Sequence, residues 1–382
     1  MSFQRHAIYA LIGCVLFLIV IGMIMLSSTS GFAQESRGDM NFFIKRQGLW
    51  LLVGVVVCVG VAMLDYHLLQ KYWWVIFGGA MVLLVLCFIP PIGMNINGSW
   101  RWVRLGPMAF QPSEVAKIAA VLFVAWWYSR PQIDAGSFIK GFVIQPLVVM
   151  GLIGLIAMET DLGTAALIAA VTFSVMFVAG VNLAYVIPIA LVALGGIIYA
   201  ATQIEERMMR LMAFLDPEKY KLTDGLQQYQ ALIALGSGGI EGLGLGEGRQ
   251  KMLYLPYAHT DFIFPMIGEE LGLKITLLVV IALLTICLCG ASIAMNARDR
   301  FGMLTGFGAI MIIAIQAAIN IGMTTSLLPN KGMPLPFISY GGSNLLICLF
   351  LVGLLVSIHR QGIPVPARPP RATYRPRITP RV

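Results

Sequence analysis

Asp261 closes the polar part of the stretch LPYAHTDFIF (255–264), and an apolar run begins directly after it. Two roles suit an aspartate there. Thr260 or Asp261 can cap the helix that starts at Phe262, or the Asp261 carboxylate can face water and accept a proton. The other outward polar stretches supply cations. Arg101, Arg104 and Lys117 lie in NGSWRWVRLGPMAFQPSEVAK (97–117), Arg249 and Lys251 follow GSGGIEGLGLGEG (236–248), and Lys331 lies in LLPNKGMPLPFISYGGSNLL (327–346). A cluster of cations stabilises a departing phosphate or pyrophosphate, which needs charge stabilisation and no proton. One carboxylate then suffices to take the proton of an attacking sugar hydroxyl. The set suits attack on a lipid-linked sugar carried on pyrophosphate, with the energy supplied by that activated donor.

Each of these residues also has a plainer reading. Trp100 and Trp102 alternate with Arg101 and Arg104, which fits an interfacial aromatic belt with snorkelling arginines. Gln111, Pro112, Ser113 and Glu114 read as a helix start. Lys117, three residues beyond Glu114, is then either its ion-pair partner or a cation entering the bundle to meet an anion. Asp161, in the turn of METDLGTAAL (158–167), is a good N-cap. Glu269, Glu270 and Lys274 extend the helix that follows Asp261 and imply that it lines a polar cavity. His259 is no metal signal by itself. A divalent cation could assist the chemistry, but no motif demands one. The glycines of 236–248 fit no nucleotide motif, because no Gly-Lys-Ser/Thr occurs and Arg249 stands where GxGxxG needs its last glycine. They let the backbone hug a surface or offer its N–H groups to an anion.

The elements that must hold these residues are membrane helices. The chain is 58% hydrophobic and 12% charged, about half the charge of a soluble domain. The expected fold class is an all-α polytopic integral membrane protein with ten transmembrane helices, at 8–26, 48–64, 73–89, 115–128, 142–158, 164–180, 183–201, 275–295, 302–323 and 345–358. A short re-entrant helix is expected at about 262–272, and a long extracytoplasmic loop at about 202–261, between spans seven and eight. The first span is longer than a signal-peptide core, so it is read as a retained anchor although Gly31-Phe32-Ala33 resembles a cleavage site. Lys and Arg gather on the side that would hold both termini, and the long loop carries more acidic than basic residues. The termini are therefore expected to be cytoplasmic and the loop outside. The net charge of +8 follows from this bias and from a Pro/Arg-rich tail (361–382), expected to be disordered, so it implies no nucleic-acid partner. The six cysteines sit in apolar runs without a CxxC pair, which argues against a disulfide framework or a zinc site.

Four stretches, GSWRWVRLGP…FQPSEVAK, TDLGT, GSGGIEGLGLGEGRQKMLYLPYAHTDFIF…GEELG and LPFISYGGSNLL, resemble the SEDS family (FtsW, RodA and SpoVE) in order and spacing, over about 1–360. The runs around 244–256 and 330–343 are more similar to the division branch, FtsW, than to RodA. The resemblance implies a bacterial inner-membrane glycosyltransferase that polymerises lipid II at the outer leaflet, releases undecaprenyl pyrophosphate, and works with a class B penicillin-binding protein and other membrane proteins of the division complex. It implies that Asp261 is catalytic. The expected substrate-binding set is Arg101, Arg104, Lys117, Glu114, Trp102, His259, Arg249, Lys331, Ser339 and Ser343. The sequence departs from the family pattern at Tyr257, Pro265, Ala109 and Thr160, the last where proline is usual. A RodA-like polymerase for elongation, a lipid II flippase and a non-catalytic scaffold are the rival readings. A flippase calls for polar residues through the full membrane depth, whereas here they gather at one end.

Overall fold

The computed structural model describes residues 2–30, 41–96, 99–105, 108–203, 205–223, 225–252, 255 and 258–362. The possible cleavage site at Gly31-Phe32-Ala33, Tyr257, and the tail beyond Gly362 lie outside the described residues.

Backbone groups in lipid must be bonded within their own segment, so long apolar runs fold as helices. In chain order these are α1 (Ser2–Ser30), α2 (Phe42–Met63), a short α3 (His67–Lys71), α4 (Trp73–Leu86), α5 (Pro112–Ser129), α6 (Ile144–Met158) and α7 (Leu162–Val178). Then come α8 (Leu183–Thr202), α9 (Glu205–Leu215), α10 (Leu226–Gly238), α11 (Ile263–Met295), α12 (Arg300–Thr324) and α13 (Gly342–Gly362). Each stretch expected to span falls on one of them. Among the described residues six helices are long and apolar enough to cross a bilayer: α1 from His6, α2, α6 with the π-helical turn that precedes it, α11, α12 and α13. The fourth and tenth stretches gain length from their flanks, as α5 starts at Pro112 and α13 at Gly342. α5 is buried along most of its length, between α4, α7 and α12.

Three features differ from the sequence reading. The chain is mostly but not wholly helical. Gly93–Ile96 (β1), Ser99–Leu105 (β2) and Met108–Phe110 (β3) form an antiparallel sheet in the order β1-β2-β3, with Trp102 opposite Met94 and Arg104 opposite Ala109. The long loop contains α9 and α10, and α10 packs on α11. The short helix after Asp261 is the first part of α11, set off by Gly272 at φ 76°, ψ 177°. Only glycine adopts that conformation without strain.

Small residues let helices approach closely. A Cβ on Gly353 of α13 would lie 2.4 Å from the carbonyl oxygen of Cys58 on α2, and one on Gly238 of α10 would lie 1.9 Å from that of Gly268 on α11. One end of the bundle is tied by Tyr66 to Asp299, by Arg360 to the Met63 carbonyl, and by Arg300 Nη2 to the Ala179 carbonyl at 2.7 Å. At the other end lie the sheet, the 159–161 turn, the glycine-rich segment and the 325–341 connection between α12 and α13.

Candidate active site

Asp261 does not cap α11. Phe262 occupies the flanking position and no side chain caps the helix. The carboxylate is instead partly exposed and packed against Gly332, where an added Cβ would come 2.9 Å from Oδ2. Burial pushes the Asp261 carboxyl up to about 7. The Arg101 charge pulls it down, and Asp161 adds to the rise. The group is therefore poised near neutrality, where a general base works well.

Its backbone is stitched from across the bundle. The carbonyls of three successive residues each accept a bond: His259 from the Tyr340 N–H at 3.0 Å, Thr260 from Ser339 Oγ at 2.6 Å, and Asp261 from Asn320 Nδ2 at 2.8 Å. Ser339 Oγ also accepts the Leu335 N–H at 2.8 Å. In the 331–341 segment Phe337 is buried with φ 67°, a left-handed conformation rare for a bulky side chain. These bonds hold the strained segment in place.

Arg101 reaches the site from β2. Successive strand residues face opposite sides, so Arg101 and Val103 point one way, Trp102 and Arg104 the other. Arg101 Nη2 donates to the Thr160 carbonyl at 3.1 Å, and Ser99 Oγ to the Glu159 carbonyl at 2.5 Å. The sheet is thus docked on the 159–161 turn, which holds Thr160 at φ 65°. Asp161 caps α7: Oδ1 accepts the Thr164 N–H at 3.1 Å, and Oδ2 accepts Thr164 Oγ1 at 2.9 Å and Gln111 Nε2 at 3.4 Å. The Lys331 stem passes close to Asp161, since a Cβ on Gly163 would lie 3.7 Å from Lys331 Cδ and 3.6 Å from Asp161 Oδ1. Burial raises the Glu159 carboxyl to about 8, against the pull of Cys87 and Arg101, with Asp161 adding to the rise.

Asp261, Asp161, Arg101, Gly332 and Lys331 thus converge. Other expected site residues have different partners. Lys117 is 3% exposed, and its Nζ contacts Glu114 at 2.8 Å and Gln316 Oε1 at 2.9 Å, while Asn344 Nδ2 donates to Glu114 at 3.2 Å. Glu114 and Lys117 form the ion pair that their spacing allows. Ser339 and Ser343 were expected to touch substrate. Both are buried backbone clamps, and Ser343 Oγ accepts the Gln111 N–H at 3.0 Å. His259 stacks on Phe43 with ring centroids 4.2 Å apart, and burial holds its imidazole down at about 4, so it is neutral at pH 7. Arg104 and Arg249 are exposed and Trp102 is half-buried. Lys251 is sealed in the protein, with Nζ 2.8 Å from both Glu270 Oε1 and Ser28 Oγ.

The glycine-rich segment does offer its N–H groups to anions, but these belong to the protein. Glu270 accepts the Gly246 N–H at 2.9 Å and Glu269 the Arg249 N–H at 2.8 Å. These two carboxylates are buried clamps and do not line a cavity. The sequence reading missed Gln316 and Asn320. They are four residues apart on α12, and two amides on one face of an apolar span are the signal that would have found them. Among the described residues no group of three His, Cys, Asp or Glu is placed to hold a metal ion.

The family model for FtsW, RodA and SpoVE, described as cell cycle protein, matches residues 9–362. A probable peptidoglycan glycosyltransferase FtsW from Geobacter sp. (strain M18) is 39% identical over 343 residues, which are 89% of this chain and 93% of that protein. Among solved structures, a chain from a study of the coordination of polymerization and crosslinking by a peptidoglycan synthase complex has a TM-score of 0.76 at 24% identity, over 93% of this chain and 98% of that one. The rod shape determining protein RodA of Thermus thermophilus has a TM-score of 0.67 at 24% identity, over 92% and 96%. The matched span runs through every element that builds the site, from β2 to the segment after α12, and the chain belongs to the FtsW/RodA/SpoVE family.

Proposed function

We propose that this chain is a peptidoglycan glycosyltransferase that polymerises lipid II, with Asp261 as its general base. The enzyme class rests on the probable FtsW glycosyltransferases that align with it over most of their length. In the proposed step Asp261 takes the proton from the 4-hydroxyl of the acceptor's terminal GlcNAc. That oxygen bonds to C1 of the donor MurNAc with inversion, the C1–O bond to phosphate breaks, and undecaprenyl pyrophosphate leaves with its electron pair. Arg101 and Lys331 hold the leaving pyrophosphate, with Arg104 and Arg249 on the rim. The buried Lys117–Glu114 pair supports the floor beneath them. Burial, with Asp161 adding to it, keeps the Asp261 carboxyl high enough to accept a proton near pH 7.

In the membrane this reading has ten spans: α1, α2, α4, α5, α6, α7, α8, the part of α11 after Gly272, α12 and α13. Both termini are cytoplasmic and the Asp261 end faces out, where lipid II is presented. The partner is a class B penicillin-binding protein, in keeping with the synthase-complex chain that shares this fold. The FtsW-named relatives favour a role in division.

The observation that carries the proposal is a partly exposed carboxylate that caps no helix and faces Gly332 within the charge field of Arg101. The test is a gel of polymer made from labelled lipid II, with and without a class B partner, for wild type and Asp261→Asn. Polymer from wild type and none from a folded Asn variant supports the assignment. A fully active Asn variant refutes it. Leaflet-resolved movement of lipid II in liposomes without any polymer would favour a flippase instead.

A further inference from the structure

We propose that Asn320 of α12 is a positioning residue that fixes Asp261 relative to the loop carrying Lys331. The inference rests on the reading of Asp261 as the base and adds to it the group that aims it. Asn320 is fully buried, and both hydrogens of its amide are used. Nδ2 donates to the Asp261 carbonyl at 2.8 Å and to the Met333 carbonyl at 2.6 Å. One side chain therefore sets the distance between the base and the strand of loop that bears Lys331 and Gly332.

The geometry makes this a positioning role. Asp261 has no cap bond of its own to α11, so its peptide is held by what reaches it from outside. The Tyr340 and Ser339 bonds hold residues 259 and 260, and Asn320 holds Asp261 itself. One turn earlier on α12, Gln316 Nε2 donates to the Pro334 carbonyl at 2.9 Å while its Oε1 accepts from Lys117. α12 thus tethers two successive carbonyls of the loop, at Met333 and Pro334, and one carbonyl of the catalytic segment. A helix is stiff along its axis, so this pair of amides turns it into a ruler between the two. Because the Asp261 carboxylate already touches Gly332, a shift of either segment changes the base-to-substrate distance directly. Misplacement by about 1 Å is enough to cost about 100-fold in rate.

Asn320→Leu removes both donors at similar volume. Gln228→Leu is the matched control. Gln228 Nε2 also clamps two carbonyls at the same end of the bundle, Met323 at 3.2 Å and Leu328 at 2.9 Å, and is equally buried, but it bonds neither Asp261 nor the 333–334 carbonyls. The full-length variants, purified with the class B partner, are assayed for polymerisation over a range of lipid II concentrations, and their melting is followed by intrinsic fluorescence. Asn320→Leu should lower kcat about 100-fold with KM for lipid II within about threefold of wild type. Gln228→Leu should lower the melting temperature by a similar amount and leave kcat near wild type. Equal kcat losses in the two variants, or a wild-type kcat in a folded Asn320→Leu, would overturn the positioning role. Asp261→Asn is run in parallel. If it is inactive while Asn320→Leu is fully active, the base stands and the ruler falls; if it is active, both fall.

Discussion

Replacing Asp261 by Asn should abolish polymer synthesis and stabilise the protein at the same time. The folded protein holds this carboxyl near 7, against an ordinary 3.8, mainly through burial. The folded state therefore binds the proton more tightly than the unfolded chain, and stability falls as pH rises from about 4 to about 7. Full ionisation against that gap would cost about 4 kcal/mol. The side chain is partly exposed, which screens the charge and reduces the cost to about 1–2 kcal/mol. Asn keeps the shape and lacks the charge, so at pH 8 the variant should melt a few degrees higher than wild type. Only at about pH 2–3, below the unfolded value of 3.8, is Asp261 protonated in both states, and there the two curves should converge. The assay is a thermal melt of both proteins across that pH range, beside the lipid II gel. Loss of a general base costs about 100- to 10,000-fold. A variant that keeps its activity, or melts below wild type at pH 8, would refute the picture of a strained base.

The wild-type rate should fall about tenfold per pH unit below about 7 and level off above it, as expected for a base held near 7; a flat profile between pH 5 and 7 under rate-limiting chemistry contradicts it. Gly332→Ala puts a Cβ 2.9 Å from Asp261 Oδ2 and should lower kcat about tenfold or more while the protein still purifies as a single species. Glu114→Gln or Lys117→Met leaves one buried charge unpaired and should cost about 3–5 kcal/mol, seen as lost folded yield. The double variant should recover much of it, because both charges are then gone. Thr160→Gly relieves a left-handed residue at φ 65° and should raise the melting temperature by the equivalent of about 1 kcal/mol, a gain that Thr160→Ala would not give.

The helices could be read from the sequence because the length of an apolar run is a local property, and lipid leaves the backbone few alternatives. The sheet was visible in part. Trp100-Arg101-Trp102 alternates with period two, but tryptophan beside arginine also describes a membrane interface, and a seven-residue strand flanked by two shorter ones gives a weak signal. For Asp261 the ambiguity lay in a single residue of register. A helix starting one position later leaves the aspartate uncommitted, and no propensity scale is that sharp. Ser339 and Ser343 were expected among the substrate-binding residues on the strength of the family resemblance. Their true partners, Thr260 and Gln111, lie 79 and 232 residues away in the chain, and only the folded structure joins them. Lys117 and Glu114, at a separation of three on one helix, were legible as a candidate pair from spacing, though spacing left an anion-binding lysine equally open.

The end of the bundle that carries Asp261 collects the costs of the fold. A carboxylate near 7 stands there beside the buried left-handed Phe337 and the left-handed Thr160, and each such feature persists only where surrounding bonds over-determine it. Those bonds come from distant elements: Asn320 and Gln316 from α12, Ser339 and Tyr340 from the approach to α13, Ser99 and Arg101 from β2. The opposite end carries no comparable concentration of left-handed backbone among the described residues. A bundle built only for stability would have placed an alanine or asparagine at 261 and a glycine at 160 and 337. That it instead holds a carboxylate near 7 behind three consecutive carbonyl bonds is the physical ground for the proposal that Asp261 is the base.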